Sequence, residues 1–302
     1  MSGLNLQGKT AFVTGAARGI GAATVERLYA RGANVALVGL EPERMRENAA
    51  RLGERAIVLE ADVTDLAALE GCVAQTVERF GGIDVAVANA GISFTGTLST
   101  APVEQVERTL AVNLLGVWRT DRAVVGELRR SRGYLLNISS LSAITHAPMM
   151  GPYTTAKAGV EAMSDALRLE LAPHGVGVGC AYFGFLDTDL VKAGFETSSA
   201  RDVKDRLPRF MAQPAPLSIA IDAIERGVAK RSARVWAPRW VGPMLYLRGL
   251  LQPLTERQAL SDMDTLRESV EIAESSPDAE TMDPILGVAA NALAEPSATP
   301  RG

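Results

Sequence analysis

The sequence predicts an α/β protein: a doubly wound parallel sheet of about seven strands with helices on both faces and a C-terminal extension. Three observations predict it. Short apolar, β-branched runs alternate with helix-length amphipathic segments from Lys9 to Ala237. The first run ends in a glycine-rich turn, Gly15-Ala16-Ala17-Arg18-Gly19-Ile20-Gly21, that opens directly into a helical pattern. A hydrophobic content of 47% with 28 glycines and only 5% aromatic residues suits a βα repeat and excludes global disorder.

Taken in order, Lys9 to Thr14 reads as a buried strand and Gly19 to about Arg31 as a helix. Strands follow at Asn34 to Leu40, Arg55 to Glu60 and Ile83 to Ala88, with helices at Pro42 to Leu52 and Asp65 to Phe80 between them. A helical pattern covers Val106 to Asp121, and Gly133 to Ser139 is the fifth strand. A helix from Tyr153 to about Pro173, a strand from Val176 to Tyr182, a helix from Leu217 to Lys230 and a strand from Arg234 to Ala237 complete the sheet. Residues 1–238 therefore form one domain, in which the stretch at about 189–214, of mixed composition and no clean period, is expected to be a lid loop. Residues 239–274 form a partly apolar, helical extension, and 275–302 an acidic tail expected to be disordered except for a helical turn around Ile285 to Leu293.

Composition removes several function classes. The net charge of -4 is uneven: Ser261 to Gly302 holds nine acidic residues and two arginines, so neither half offers a basic nucleic-acid surface. Cys72 and Cys180 lack ligand spacing, which leaves buried reduced thiols and no metal site. The start has no basic region followed by an apolar run, and no apolar run reaches membrane-spanning length. A cytoplasmic enzyme is expected. The stretch from Arg239 to Leu251 is apolar and flanked by arginines. It could cap a cleft, lie peripherally on a membrane, or pack on the core or a partner subunit, and packing is the plainest reading.

The chemistry centres on Tyr153-Thr154-Thr155-Ala156-Lys157, just after Gly151-Pro152. On a helix opened by Pro152, residues four apart share a face, so phenol and ammonium point together. A fixed cation favours the phenolate and makes tyrosine useful as an acid or base near neutral pH. The turn Thr14-Gly15-x-x-x-Gly19-Ile20-Gly21, between a strand and a helix, presents backbone N–H groups to a dinucleotide pyrophosphate, although its spacing is not G-x-G-x-x-G.

With both motifs in view, the chain resembles the short-chain dehydrogenase/reductase family, whose cofactor turn is TGxxxGxG and whose active-site helix carries YxxxK. The resemblance covers about 230 residues and implies a Rossmann-type fold. It implies that Gly15, Arg18, Gly19, Ile20 and Gly21 bind the cofactor, that Asp62 and Val63 meet the adenine, and that Asn89-Ala90-Gly91 lines its adenosine side. Ala88 stands where the family's turn has a first asparagine. Thr188 is expected to contact the nicotinamide carboxamide, with Phe183 replacing a proline nearby. The resemblance also implies a catalytic tetrad of Asn113, Ser140, Tyr153 and Lys157. Asn113 lies 40 residues and Ser140 lies 13 residues before Tyr153, and the latter spacing selects Ser140 over Ser139. Tyr153 would then act as general acid and base, Ser140 would bind the reacting oxygen, Lys157 would lower the Tyr153 pKa and hold the nicotinamide ribose, and Asn113 would anchor a proton relay through a water.

Cofactor choice rests on few residues. Gly39 stands where NAD-preferring members place an acid, and Arg18 could pair with a 2'-phosphate, so NADP(H) is expected over NAD(H), against which Glu41 stands close by. The substrate-facing set Phe94, Leu141, His146, Phe183 and Phe185, with Ile92 and Met149, is mostly apolar and suggests a hydrophobic ketone or alcohol. A homodimer or homotetramer through the helices carrying Asn113 and Tyr153 is implied by the resemblance. The rival readings are a dinucleotide-binding regulatory protein with little turnover and a peripheral membrane protein.

Overall fold

The computed structural model describes residues 4–94, 96–188 and 213–275. The expected lid loop, apart from its last two residues, and the acidic tail lie outside the described residues. Seven strands form one parallel sheet: β1 (Thr10–Thr14), β2 (Asn34–Gly39), β3 (Ala56–Glu60), β4 (Val85–Ala88), β5 (Tyr134–Ile138), β6 (Gly177–Phe183) and β7 (Arg234–Ala237). Their order is β3-β2-β1-β4-β5-β6-β7, with the chain reversing direction across the sheet between β1 and β4. That switch point opens a crevice at the carboxyl ends of the strands.

Strand alternation divides the core in two. Ala11 and Val13 of β1 join the layer under α1 (Gly19–Ala30) and α7 (Leu217–Lys230), and Phe12 joins the opposite layer. That second layer holds Leu69 and Cys72 of α3 (Leu66–Phe80), Val124 and Leu128 of α5 (Gly116–Ser131) and Leu171 of α6 (Gly151–Leu171). With both faces covered, all five β1 residues are buried, which is why its sequence lacks a polar face. The expected elements are present with end shifts of a few residues.

Two helices follow from local chemistry. α2 (Pro42–Leu52) starts with a proline in its first turn, where the missing N–H costs nothing. α3 is capped by Asp65, whose carboxylate accepts from Ala68 N at 3.1 Å, and stops at left-handed Gly81.

The helical pattern placed at Val106 to Asp121 is longer and interrupted. α4 (Val103–Leu110) passes into a π-helical turn at Ala111–Leu115 before α5 begins, and Asn113 sits in that turn. Such a turn displaces backbone carbonyls from the α-helical ladder. The apolar stretch after Arg239 becomes α8 (Val241–Leu260), followed by α9 (Met263–Ser275). Its first turns pack: Val241 and Leu245 are buried with Leu141, Ile144 and Tyr182, and Arg248 donates to Glu161 of α6 at 2.7 Å. Tyr246, Leu247, Leu250 and Leu254 stay exposed. No helix among the described residues is long and apolar enough to cross a membrane.

Candidate active site

The crevice is built first by the turn between β1 and α1. Thr14 Oγ1 accepts from Asn89 N at 3.0 Å and Ala90 N at 3.3 Å, and Asn89 Nδ2 donates back to Thr14 O at 3.0 Å and Gly15 O at 3.2 Å. The loop after β4 thus holds the glycine turn in shape. Gly21 has no alternative there, since a Cβ would lie 2.1 Å from Gly15 O. Arg18 precedes α1, which begins with neither a side-chain cap nor an acid in its own first turn. Its N-terminal N–H groups and positive end therefore suit a pyrophosphate, so the residues present fit a dinucleotide.

Other residues expected at the cofactor fall around this turn. Asp62 accepts from Thr64 N at 2.8 Å in a local turn, and the α3 cap is Asp65 instead. Val63 is buried against Gly116. Ile20 packs on the α1 layer. Thr188 lies across from Gly19, where an added Cβ would stand 3.8 Å from its methyl group. Arg18 is engaged rather than open: its Nε donates to Glu41 Oε1 at 2.9 Å, and its Nη2 pairs with Glu41 Oε2.

The tetrad residues converge from three elements. Lys157 is 4% exposed and donates from Nζ to Ile138 O at 3.0 Å, at the end of β5. Its ammonium lies 5.6 Å from the centre of the Tyr153 ring. Asn113 is fully buried, accepting from Ile92 N at 2.8 Å and donating to Ile92 O at 2.7 Å. Each end of its carboxamide is held by the Ile92 backbone, and the π-helical turn offers displaced backbone carbonyls beside it. Gly91 separates Asn113 from Lys157: a Cβ there would lie 2.9 Å from Asn113 Oδ1 and 3.6 Å from Lys157 Nζ.

The serine doublet divides its labour. Ser139 is buried and donates to Lys157 O at 2.8 Å, which fastens α6 to β5. Ser140 opens the short helix Leu141–Ala143, accepts from Ser142 N at 3.1 Å, donates to Ser142 Oγ at 3.3 Å, and stands close enough to the Tyr153 hydroxyl to favour its ionised form. Gly96 N donates to Met149 O at 2.8 Å, tying the loop after β4 to the entrance of α6.

The electrostatics correct one expectation. Burial raises the Tyr153 pKa above the usual tyrosine value, opposed by the hydrogen bond from Ser140, and burial pushes Lys157 down to about 8. The expected lowering of the phenol by Lys157 is therefore not what the pocket produces. Desolvation penalises both charged forms, and it outweighs a cation held beside the ring face.

The residues expected at the substrate divide by burial. Phe94, Leu141 and Phe183 are buried, Phe185 is half-buried, and His146 is exposed. Phe183 joins the α1 and α7 core layer, and Leu141 packs under α8. Sequence reasoning missed Ser139 as an anchor, Ile92 as the Asn113 partner, and a buried group formed by Asp121, Asn137 and Ser164. Only the Asn-x-Ser-Ser spacing at 137–140 hinted at the last.

Residues 9–199 match the short chain dehydrogenase family. The chain belongs to that family. The 2-(R)-hydroxypropyl-CoM dehydrogenase of Xanthobacter autotrophicus is 33% identical over 210 residues, covering 67% of this chain and 84% of the relative. A 3-alpha-(or 20-beta)-hydroxysteroid dehydrogenase of Mycobacterium bovis is 37% identical over 191 residues, 63% of this chain and 73% of the relative. Among solved structures, a dehydrogenase/reductase from Sinorhizobium meliloti superposes with a TM-score of 0.69 at 28% identity, covering 77% of this chain and 95% of that one. This short-chain dehydrogenase is an oxidoreductase, and its family uses NAD(P)(H).

Proposed function

We propose that the enzyme moves a hydride reversibly between a nicotinamide cofactor and a ketone or secondary alcohol on an apolar small molecule. The carrying observation is the convergence of Tyr153, Ser140 and a buried Lys157 at the strand ends beside an uncapped helix N-terminus. When bound, the nicotinamide supplies or accepts the hydride. Tyr153 gives a proton to the developing alkoxide in reduction and takes one from the alcohol in oxidation. Ser140 donates to the substrate oxygen, where charge grows in the transition state. Lys157 holds the nicotinamide ribose, and backbone near Asn113 receives the relayed water.

One relative is named for a hydroxysteroid substrate, which supports a hydroxyl or oxo group on a largely apolar body, and another is named for 2-(R)-hydroxypropyl-CoM, which supports a secondary alcohol. The preference within NAD(P)(H) turns on Arg18 and Glu41. A 2'-phosphate would meet a guanidinium already neutralised by a carboxylate, whereas a ribose hydroxyl could donate to Glu41. This weakens the NADP(H) expectation drawn from sequence and favours NAD(H). Homodimers or tetramers through α4, α5 and α6 suit the exposure of Leu115 and Trp118 one turn apart.

The test is initial-rate consumption of NADH and NADPH against ketones graded from small and polar to polycyclic. Turnover that rises with apolar size supports the reading. Cofactor binding without turnover of any ketone, or of any matching alcohol with the oxidised cofactor, defeats it.

A further inference from the structure

Behind the tetrad, on the face of β5 turned towards α5 and α6, lies a polar group with no route to solvent. Asn137 is fully buried, Ser164 is fully buried, and Asp121 is 3% exposed. Asn137 Nδ2 donates to Asp121 Oδ2 at 2.9 Å and to Ser164 Oγ at 3.2 Å, and Ser164 passes its own proton to Val160 O at 2.6 Å. Two acceptors are left over. Asp121 Oδ1 and Asn137 Oδ1 are both buried and have no hydrogen-bond partner among the described residues.

An ionised carboxylate here would be a buried charge facing no cation. The charged groups on the packed elements, Arg119 and Arg122 of α5 and Lys157 and Glu161 of α6, make no hydrogen bond or ion pair with Asp121. Cys180 of β6, in register with Asn137, is a thiol that burial keeps neutral. One proton resolves the arrangement. Placed on Asp121 Oδ1 and donated to Asn137 Oδ1, it satisfies both orphaned oxygens and closes a reciprocal acid–carboxamide pair. Exchanging the amide's oxygen and nitrogen moves the gap without supplying a donor, so the conclusion survives either orientation.

We propose that Asp121 is an un-ionised carboxylic acid that locks α5 to Asn137 and acts as a positioning residue for Lys157. The route is short. Asn137, Ile138 and Ser139 are consecutive: the first is held by Asp121 and Ser164, the second accepts from Lys157 Nζ, and the third donates to Lys157 O. Opening the Asp121 pair loosens the strand end that seats the lysine. Burial raises the Asp121 pKa to about 8, consistent with the geometry. The native state then keeps a proton that the unfolded chain has lost above about pH 4. The pair's stability is complete below that pH and drains away as pH rises towards about 8.

The protonation claim is independent of the proposed function; the effect on Lys157 rests on it. The test uses the full-length protein with Asp121→Asn, which keeps a reciprocal pair without a titrating group, and Asp121→Leu, which breaks it. Infrared difference spectra at neutral pH should show the carbonyl stretch of an un-ionised carboxylic acid in wild type and none in Asp121→Asn. Between about pH 5 and pH 9, wild type should lose several degrees of melting temperature relative to Asp121→Asn. Asp121→Leu should melt below both and bind cofactor at least about tenfold more weakly, the loss expected for a misplaced ribose contact. Parallel melting curves for wild type and Asp121→Asn, or no acid band, would overturn the protonation claim. Unchanged cofactor affinity in Asp121→Leu would overturn the positioning role even if the proposed chemistry holds.

Discussion

Arg18 and Glu41 form a two-point ion pair at the mouth of the cofactor crevice, Nε to Oε1 at 2.9 Å with Nη2 closing on Oε2. Both side chains are mostly buried, at 24% and 15% exposure, so the pair is held rather than fluctuating in open solvent. Glu41→Gln should remove the carboxylate that repels a 2'-phosphate and free Arg18. The ratio of kcat/KM for NADPH over NADH should rise roughly tenfold, equivalent to one modest electrostatic contact. Equal changes for both cofactors would show that the pair does not face the ribose.

On the proposed mechanism, Tyr153→Phe removes the transferred proton while keeping the ring. Turnover should fall by about 10²–10⁴-fold with cofactor affinity nearly unchanged. Titration of intrinsic fluorescence with NADH, alongside steady-state rates, separates the two effects. Comparable turnover in the variant defeats the assignment of Tyr153.

Lys157→Met separates function from stability. A lysine whose pKa is pushed down to about 8 costs stability wherever it is charged, and that cost disappears as pH rises from about 8 to the unfolded value near 10.4. The methionine variant should therefore melt above wild type at pH 7 and lose the advantage at alkaline pH. It should also lose cofactor binding. Intact binding would argue against the ribose contact.

The raised Tyr153 pKa sets opposite pH profiles for the two directions. Oxidation needs the phenolate, so its kcat/KM should climb with pH through the neutral and alkaline range. Reduction needs the phenol and should stay level until the same alkaline limb, then fall. Parallel profiles in both directions would point to a different proton donor.

Gly91→Ala tests the gap between Asn113 and Lys157. Its methyl group would press to 2.9 Å of Asn113 Oδ1, closer than carbon and oxygen tolerate. Activity should drop by about a hundredfold or more from misplacement of the lysine, with the fold retained by circular dichroism. Wild-type rates would mean that the gap has no role.

The sequence was enough to determine the alternating elements, the glycine turn and the lysine one helical turn from the tyrosine. These depend on local periodicity and on fixed spacings along the chain, which tertiary packing does not alter. Ser140 was separable from Ser139 only by counting residues; the structure gives the physical difference, one hydroxyl bound to the Lys157 carbonyl and the other beside the phenol. The π-helical turn at Asn113, the Arg18–Glu41 pair, the seat of Lys157 on Ile138 and the Asp121–Asn137 pair are decided by tertiary structure alone. The last three join residues 16 or more positions apart, and the π-helical turn carries an asparagine bound to Ile92, 21 positions away. Desolvation is a property of the packed crevice, and it reverses the pKa direction that the isolated Tyr-x-x-x-Lys motif suggests.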